Sequence, residues 1–236
     1  MKKDNKLFNR LSNVVLSILI GSLALLCAFP SSSALETDGG TAKVYRNGNA
    51  EHNAVTLTIN VYWGTDEVYA ILNILQEYNA KATFFIGGCW ADDNVECLRE
   101  IYNQGHEIGN HGYFHKDHAQ MNEKQNNSEI SSCNRFIELA IGQTPMLFAP
   151  PSGAYNNATL TACQQLNMQT ILWTRDTIDW RDKDAKLVYT RATKNVKAGD
   201  FILMHPMSHT VKALPDILKY YQSVGLNLLT VSQHLQ

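Results

Sequence analysis

The sequence is short of several things, and each shortage narrows what the protein can be. Outside the first ten residues it has no run of Lys and Arg, and 20 basic against 22 acidic side chains leave a formal net charge of -2. Binding to a phosphate backbone is driven by clustered cations, so nucleic acid is not expected as the main partner. There is no internal repeat, and low-complexity sequence is confined to Ser31-Ser32-Ser33. Cysteine is sparse, five residues in 236, and no pair has CxxC spacing, which argues against a cysteine-ligated zinc or a dithiol redox centre. The length, with 44% hydrophobic and 18% charged residues, favours one domain with a sizeable core.

The N-terminus reads as an export signal. Lys2, Lys3, Lys6 and Arg10 precede an apolar stretch from Val14 to Phe29, and Ser32-Ser33-Ala34 suits a signal peptidase that cuts after Ala34. The alternative is an uncleaved anchor, although the stretch is short for a bilayer and holds Ser17, Gly21 and Ser22. Cys27 is a poor lipoprotein cysteine because Leu26 precedes it where a small residue is expected. The mature protein is thus expected outside the cytoplasm, secreted and wall-associated, touching membrane only through this segment. Export permits disulfides. Of the four remaining cysteines, Cys89 and Cys97 flank a short strand-to-helix connection where a bridge is geometrically plausible; free buried thiols are the other reading.

Residues 35–53 are polar and read as an N-terminal arm. From Ala54 onward, β-branched apolar runs alternate with segments of helical periodicity. Strands are expected at 54–61, 82–87, 106–110, 147–150, 168–173, 200–205 and 226–231. Helices are expected at 66–78, 93–104, 128–141, 157–166, 185–196 and 211–224. About seven βα units with continuously apolar strands imply a parallel sheet covered by helices, in a compact, distorted (β/α) barrel. Ligands in such folds bind at the C-terminal ends of the strands. The unusual residues fall at those ends: Asn60 to Trp63, His111 and His115, Ala149 to Tyr155, Asp176 to Trp180, and Leu203 to His205.

These motifs, taken in order, resemble the polysaccharide deacetylase family (the NodB homology domain of carbohydrate esterase family 4). The motifs are KATFFIGG (Lys81–Gly88), GHEIGNHGYFH (Gly105–His115), APPSGAY, DTIDW and LMH (Leu203–His205), over a stretch from Val55 to Val231. The Trp63-Gly64, APPSG and DTIDW segments look most like a divergent branch found in spore-forming Gram-positive bacteria. The resemblance implies a metal-dependent hydrolase that removes N-acetyl groups from peptidoglycan or chitin-like wall glycan. It makes His111 and His115 ligands of a divalent metal, expected to be zinc. His205 becomes the acid that protonates the leaving amine, with Asp179 as its partner. Trp180, Leu203, Tyr155 and Trp63 become substrate contacts, Leu203 lining the pocket for the acetyl methyl.

The chain departs from the family on one side of this site. The family's adjacent pair of Asp, general base and third metal ligand, is here Asn60 and Val61, and the Arg before the two prolines is Ala149. An Asn amide accepts no proton, and Val offers no ligand. Zinc favours three protein ligands plus water, so Asp66, Glu67 or His118 would have to fill in. A loop-surface His118 is the plainer expectation. His106 is expected to be structural, His209 and His234 solvated, Asp176 a turn cap, and Tyr62 and Trp63 either groove aromatics or rim packing. Three functions are therefore carried forward: a secreted deacetylase with a degraded base side, a pseudoenzyme that binds glycan, and a hydrolase of altered substrate on the same scaffold whose base is Asp66 or Glu67.

Overall fold

A computed structural model describes residues 43–236; the signal segment and the first part of the polar arm lie outside the described residues. The sheet contains nine strands: β1 (Val44–Tyr45), β2 (Ala54–Val61), β3 (Thr83–Ile86), β4 (Glu107–Asn110), β5 (Leu147–Phe148), β6 (Gln169–Ile171), β7 (Arg175–Asp176), β8 (Phe201–Met204) and β9 (Asn227–Leu228). Their order is β1-β6-β5-β4-β3-β2-β8-β7, with β9 also paired to β2, and every ladder is parallel. All eight residues of β2 are buried, as expected of a central parallel strand covered on both faces.

The (β/α) barrel expected from the sequence is present as an incomplete barrel, and its closure has a local cause. β6 and β7 are two parts of one run broken at Leu172–Thr174. The first part pairs with β5 and the second with β8, and the Thr174 N–H donates to the Phe201 carbonyl at 3.1 Å. Tyr45 fills the outer edge, its carbonyl accepting from the Leu172 N–H at 2.7 Å. Val44 and Tyr45, inside the expected arm, therefore belong to the sheet.

Helices α1 (Asp66–Glu77), α2 (Gly88–Asp93), α3 (Val95–Asn103), α4 (Glu123–Ile141), α5 (Asn157–Gln165), α6 (Ala185–Thr193), α7 (Ser208–Ser223) and α8 (Val231–His234), with short 3₁₀ turns at Ala50–His52, His118–Gln120 and Pro151–Gly153, complete the described elements. α4 begins five residues earlier than periodicity suggested because Asn122 and Gln125 form a reciprocal capping box. Its buried face runs Asn126, Glu129, Ile130, Cys133, Asn134, Ile137, a polar-rich stripe that a search for apolar periodicity passes over. The main core joins β2, β3 and β8 to α1, α3 and α7 through Leu57, Ile59, Val61, Leu72, Leu98, Ile202, Leu214 and Ile217.

All four cysteines of the described residues are free, so of the two readings the free thiols hold and the Cys89–Cys97 bridge does not. The unanticipated helix α2 separates them. Cys89 stays partly exposed in its first turn, whereas Cys97 turns into the core beside the Tyr69 hydroxyl.

Candidate active site

The C-terminal strand ends enclose a cleft of about 280 Å³ lined by Asn60, Trp63, His111, His115, Ser152, Trp173, Asp176, Trp180, Leu203 and His205. His111 extends β4, its backbone N–H bonded to the Ile86 carbonyl at 2.9 Å. The loop after it is pinned by Asn110. That side chain donates to the Ile130 carbonyl and to Asn134 Oδ1 of α4, and accepts from the Gly112 N–H at 2.7 Å. Gly112 has φ +76, which favours glycine, and a Cβ there would sit tightly, 3.1 Å from His118 Nε2. Glu129, also on α4, accepts from the Phe114 N–H at 2.5 Å. Asn134 and Glu129 on the buried face of α4 thus help hold the His111–His115 loop.

The two histidine rings stand edge to face with centroids 5.1 Å apart. His111 Nδ1–H donates to the Ala149 carbonyl at 2.7 Å, which leaves Nε2 as an acceptor toward the cleft. Burial, with His115 close by, lowers the His111 pKa to about 3, so the ring is neutral at physiological pH. Burial also lowers the pKa of His115, whose ring packs on Tyr62 at 4.6 Å.

Across the cleft, Asp179 is fully buried and accepts three hydrogen bonds of 2.7 Å, from His205 Nδ1–H, the His205 backbone N–H and the Thr210 hydroxyl. Burial alone would raise its pKa; these donors outweigh it and hold the carboxyl below its usual range. Trp63 stacks on the His205 ring with centroids 5.6 Å apart and planes 9° from parallel. Trp180 stands at the rim, 51% exposed.

On the opposite side Asn60 is buried, and its Oδ1 has no hydrogen-bond partner. The next residue, Val61, is fully buried in the main apolar core. Ala149 sits in a second apolar cluster with Phe85, Leu147 and Ile171, against which Trp173 packs. Among the described residues no three His, Cys, Asp or Glu side chains are placed together to hold a metal ion. The donor set near His111 and His115 is two imidazoles and one amide, which does not fit the three-ligand preference of a zinc centre.

Most sequence-assigned residues converge on the cleft; several do not. Tyr155 is not among the residues lining it, because the chain turns away toward the capped start of α5. Asp66 and Glu67 do not line it either. His118 corrects the surface expectation: it is buried against Phe148 and bonds Asn126 at 2.6 Å through Nδ1. His234 is likewise buried, bonded to Thr56 at 2.9 Å, and His209 Nε2–H donates to the Asp179 carbonyl at 2.6 Å. His106 is structural as expected, accepting from the Ala82 N–H. Asp176 caps its turn through the Ile178 N–H at 2.7 Å and lines the cleft as well. Trp173 and Ser152 were missed. Trp173 read as the end of a buried strand, and its role depends on Gly153, where a Cβ would lie 2.8 Å from the indole.

Comparison with known proteins agrees with this geometry. Residues 47–171 match the family model for polysaccharide deacetylases. The chain is 37% identical over 186 residues to the protein YlxY of Bacillus subtilis (strain 168), covering 79% of this chain and 58% of that one; it thus spans less than two thirds of that relative's length. It is 30% identical over 200 residues to a peptidoglycan-N-acetylglucosamine deacetylase of Bacillus cereus, covering 81% and 93% of the two chains. Among solved structures, BA3943 of Bacillus anthracis, a CE4 family pseudoenzyme, superposes with a TM-score of 0.80 at 32% identity, covering 83% of this chain and 69% of that one. A BA3943 mutant with restored enzymatic activity superposes equally well, at 30% identity over 83% and 72% of the two chains. The chain belongs to the polysaccharide deacetylase family, carbohydrate esterase family 4.

Proposed function

We propose that this chain is an exported glycan-binding member of the family, which holds N-acetylated wall glycan in the cleft and does not deacetylate it efficiently. The observation that carries this reading is the base side. Asn60 provides no carboxylate, Val61 is committed to the apolar core, and the remaining donors do not make a zinc site. The binding side is intact: Trp63, Trp173 and Trp180 give aromatic faces on which pyranose rings stack, and Leu203 gives an apolar wall. Export rests on the Lys2–Ala34 segment, and peptidoglycan as the glycan on what the B. cereus relative is named for.

The second reading, a zinc-dependent deacetylase, draws on the intact His205–Asp179 pair. One preparation separates the two. The full chain is titrated with chitooligosaccharide by calorimetry, its zinc content is measured, and acetate release from chitooligosaccharide and peptidoglycan is followed. Binding with background acetate and substoichiometric zinc is expected. Sustained acetate release that a chelator abolishes and zinc restores would overturn the proposal in favour of the enzyme.

A further inference from the structure

We propose that a pocket at the far end of the barrel from the cleft is a second binding site, one that takes a neutral saccharide through its hydroxyls. The pocket has a volume of about 600 Å³ and lies at the N-terminal end of β4, where Tyr102, His106, Glu107, Thr144, Met146 and Ser232 line it. His106 is 4% exposed, and its Nε2 has no hydrogen-bond partner. Its Nδ1 accepts from the Ala82 N–H at 3.3 Å, so the proton of the neutral ring sits on Nε2. Burial, with Lys81 nearby, lowers the His106 pKa to about 4, which keeps the ring neutral at physiological pH. The Nδ1 edge faces the start of β3, and Nε2–H leaves the ring on the other side, in a side chain that lines the pocket. A buried donor in that state is destabilising until an acceptor pairs with it.

The surroundings define what that acceptor is. A metal ion would need a lone pair at Nε2, and the bond from Ala82 puts the proton there instead. An anion would meet the Glu107 carboxylate, with no Lys or Arg among the residues that line the pocket; Lys81 is committed to the Gln104 carbonyl at 2.5 Å. An extended peptide would need a free strand edge, but β4 is paired to β3 and β5, and β5 to β4 and β6. A hydroxyl fits, because its oxygen accepts from His106 Nε2–H and its hydrogen can go to a carboxylate. Glu107 takes its bonds from the Thr83 hydroxyl at 2.7 Å and the Ser232 N–H at 3.2 Å, both at Oε2, so Oε1 keeps its acceptor capacity. Successive side chains on a strand point to opposite faces, so His106 and Glu107 reach different hydroxyls of a ligand lying across the strand end. Several hydroxyls on one rigid, uncharged frame are what a pyranose offers, and Tyr102 and the 53% exposed Met146 give its ring apolar faces. β4 runs from this pocket at Glu107 to Asn110, beside His111 of the cleft. With glycan in the cleft as well, one molecule would join two glycan segments; that consequence rests on the cleft reading, and occupation of the pocket does not.

The test is NMR on the full chain with its cleft disabled by Trp63→Ala and Trp180→Ala, titrated with cellotetraose, a neutral saccharide without acetamido groups. Saturable shifts are expected at the His106 Nε2–H and at the Thr144 and Ser232 amides. Thr144→Arg, at an exposed position, fills the pocket and sets a cation against Glu107, and it should weaken binding by about tenfold or more. His106→Phe, which removes the donor, should do the same. Thermal melts verify folding, and Thr144→Arg stands if His106→Phe does not fold. Absence of saturable shifts, or shifts that persist in the folded variants, would overturn the proposal. Larger shifts at the same positions with N-acetylalanine methylamide, a neutral peptide mimic, or with inorganic phosphate would overturn the saccharide class. Calorimetry of chitotetraose on Thr144→Arg with both tryptophans intact reads the cleft by itself, so failure of the pocket and failure of the cleft are told apart.

Discussion

If the base side is what this chain lacks, rebuilding it should cost stability first and return activity only with metal. The perturbation is Asn60→Asp, Val61→Asp and Ala149→Arg together. Asn60→Asp is nearly isosteric. Val61 is fully buried in the main core, so its replacement forfeits about 1.5–3 kcal/mol of apolar burial and adds a carboxylate with no cation beside it. Ala149 is packed with Phe85, Leu147 and Ile171, and forcing a guanidinium stem among them costs about 1–3 kcal/mol more. A metal-free loss of about 4 kcal/mol translates, for a domain of this size, into a melting temperature lower by about 8–16 °C. Zinc at a hundredfold excess over its Kd would return about 2.7 kcal/mol of this. A working general base is worth about 10²–10⁴ in rate, so acetate release should rise by that order in the zinc-loaded variant. Thermal melts with zinc and with chelator, paired with acetate release, read both quantities. The reasoning is refuted if the parent already shows the zinc-dependent rise, or if the metal-free triple variant melts with the parent and zinc adds neither stability nor turnover.

Three further outcomes follow from the same geometry. Stability should fall between about pH 6.5 and pH 4, because histidines of ordinary pKa in the unfolded chain take up protons that buried His106, held at about 4, and His111, held at about 3, refuse; each contributes about 1.4 kcal/mol per pH unit in that window and nothing above it. Urea midpoints at pH 7.5, 6 and 5 check this, and a midpoint that is flat or rises toward pH 5 contradicts it. Without reductant, iodoacetamide should label Cys89 in the native protein and reach Cys97, Cys133 and Cys163 only in denaturant; burial raises all four thiol pKa values, those of Cys97 and Cys163 to about 11. Intact mass after alkylation reads this, and unlabelled Cys89 and Cys97 in denaturant would restore the bridge. Asp179→Asn, which keeps one acceptor and sets an NH₂ against the His205 donors, should cost about 3 kcal/mol and lower the melting temperature by about 6–12 °C; a shift under about 2 °C would mean that these bonds do not hold the loop.

The barrel was legible in the sequence because its strands are continuous apolar runs at the spacing of βα units, and the cleft was legible because its residues all end strands. The rest was hidden for identifiable reasons. The start of α4 is set by a cap, and its buried face is largely polar, since it serves the His111 loop as much as the core. His118 and His234 read as surface residues, yet each ring is satisfied at one nitrogen by a partner far away or on another element. Tyr155 belongs to a motif, but motif membership does not say which way the chain turns after Gly153. Trp173 was assigned to a strand without a cue that the strand breaks there and changes neighbours.

The His205–Asp179 pair, which the family resemblance reads as the acid side, is easily taken as a sign of turnover, and the structure gives the pair a structural duty. Asp179 ties the DTIDW loop to the end of β8 through two bonds to His205 and to the start of α7 through Thr210. His209 adds a bond from α7 to the Asp179 carbonyl, and Ile178, just before, is held at φ +52, a region costly for a β-branched residue. These contacts are what fix a strained loop against a buried carboxylate, and they place Trp180 at the rim and His205 under Trp63. A chain that kept only the groove would still have to keep Asp179 and His205. Asn60, Val61 and Ala149 tie no loop in this way: the Asn60 Oδ1 is unpaired, and Val61 and Ala149 pack in apolar clusters. The two sides of the site therefore differ in how the fold depends on them: hydrogen bonds tie Asp179 and His205 into the loop, and none ties Asn60.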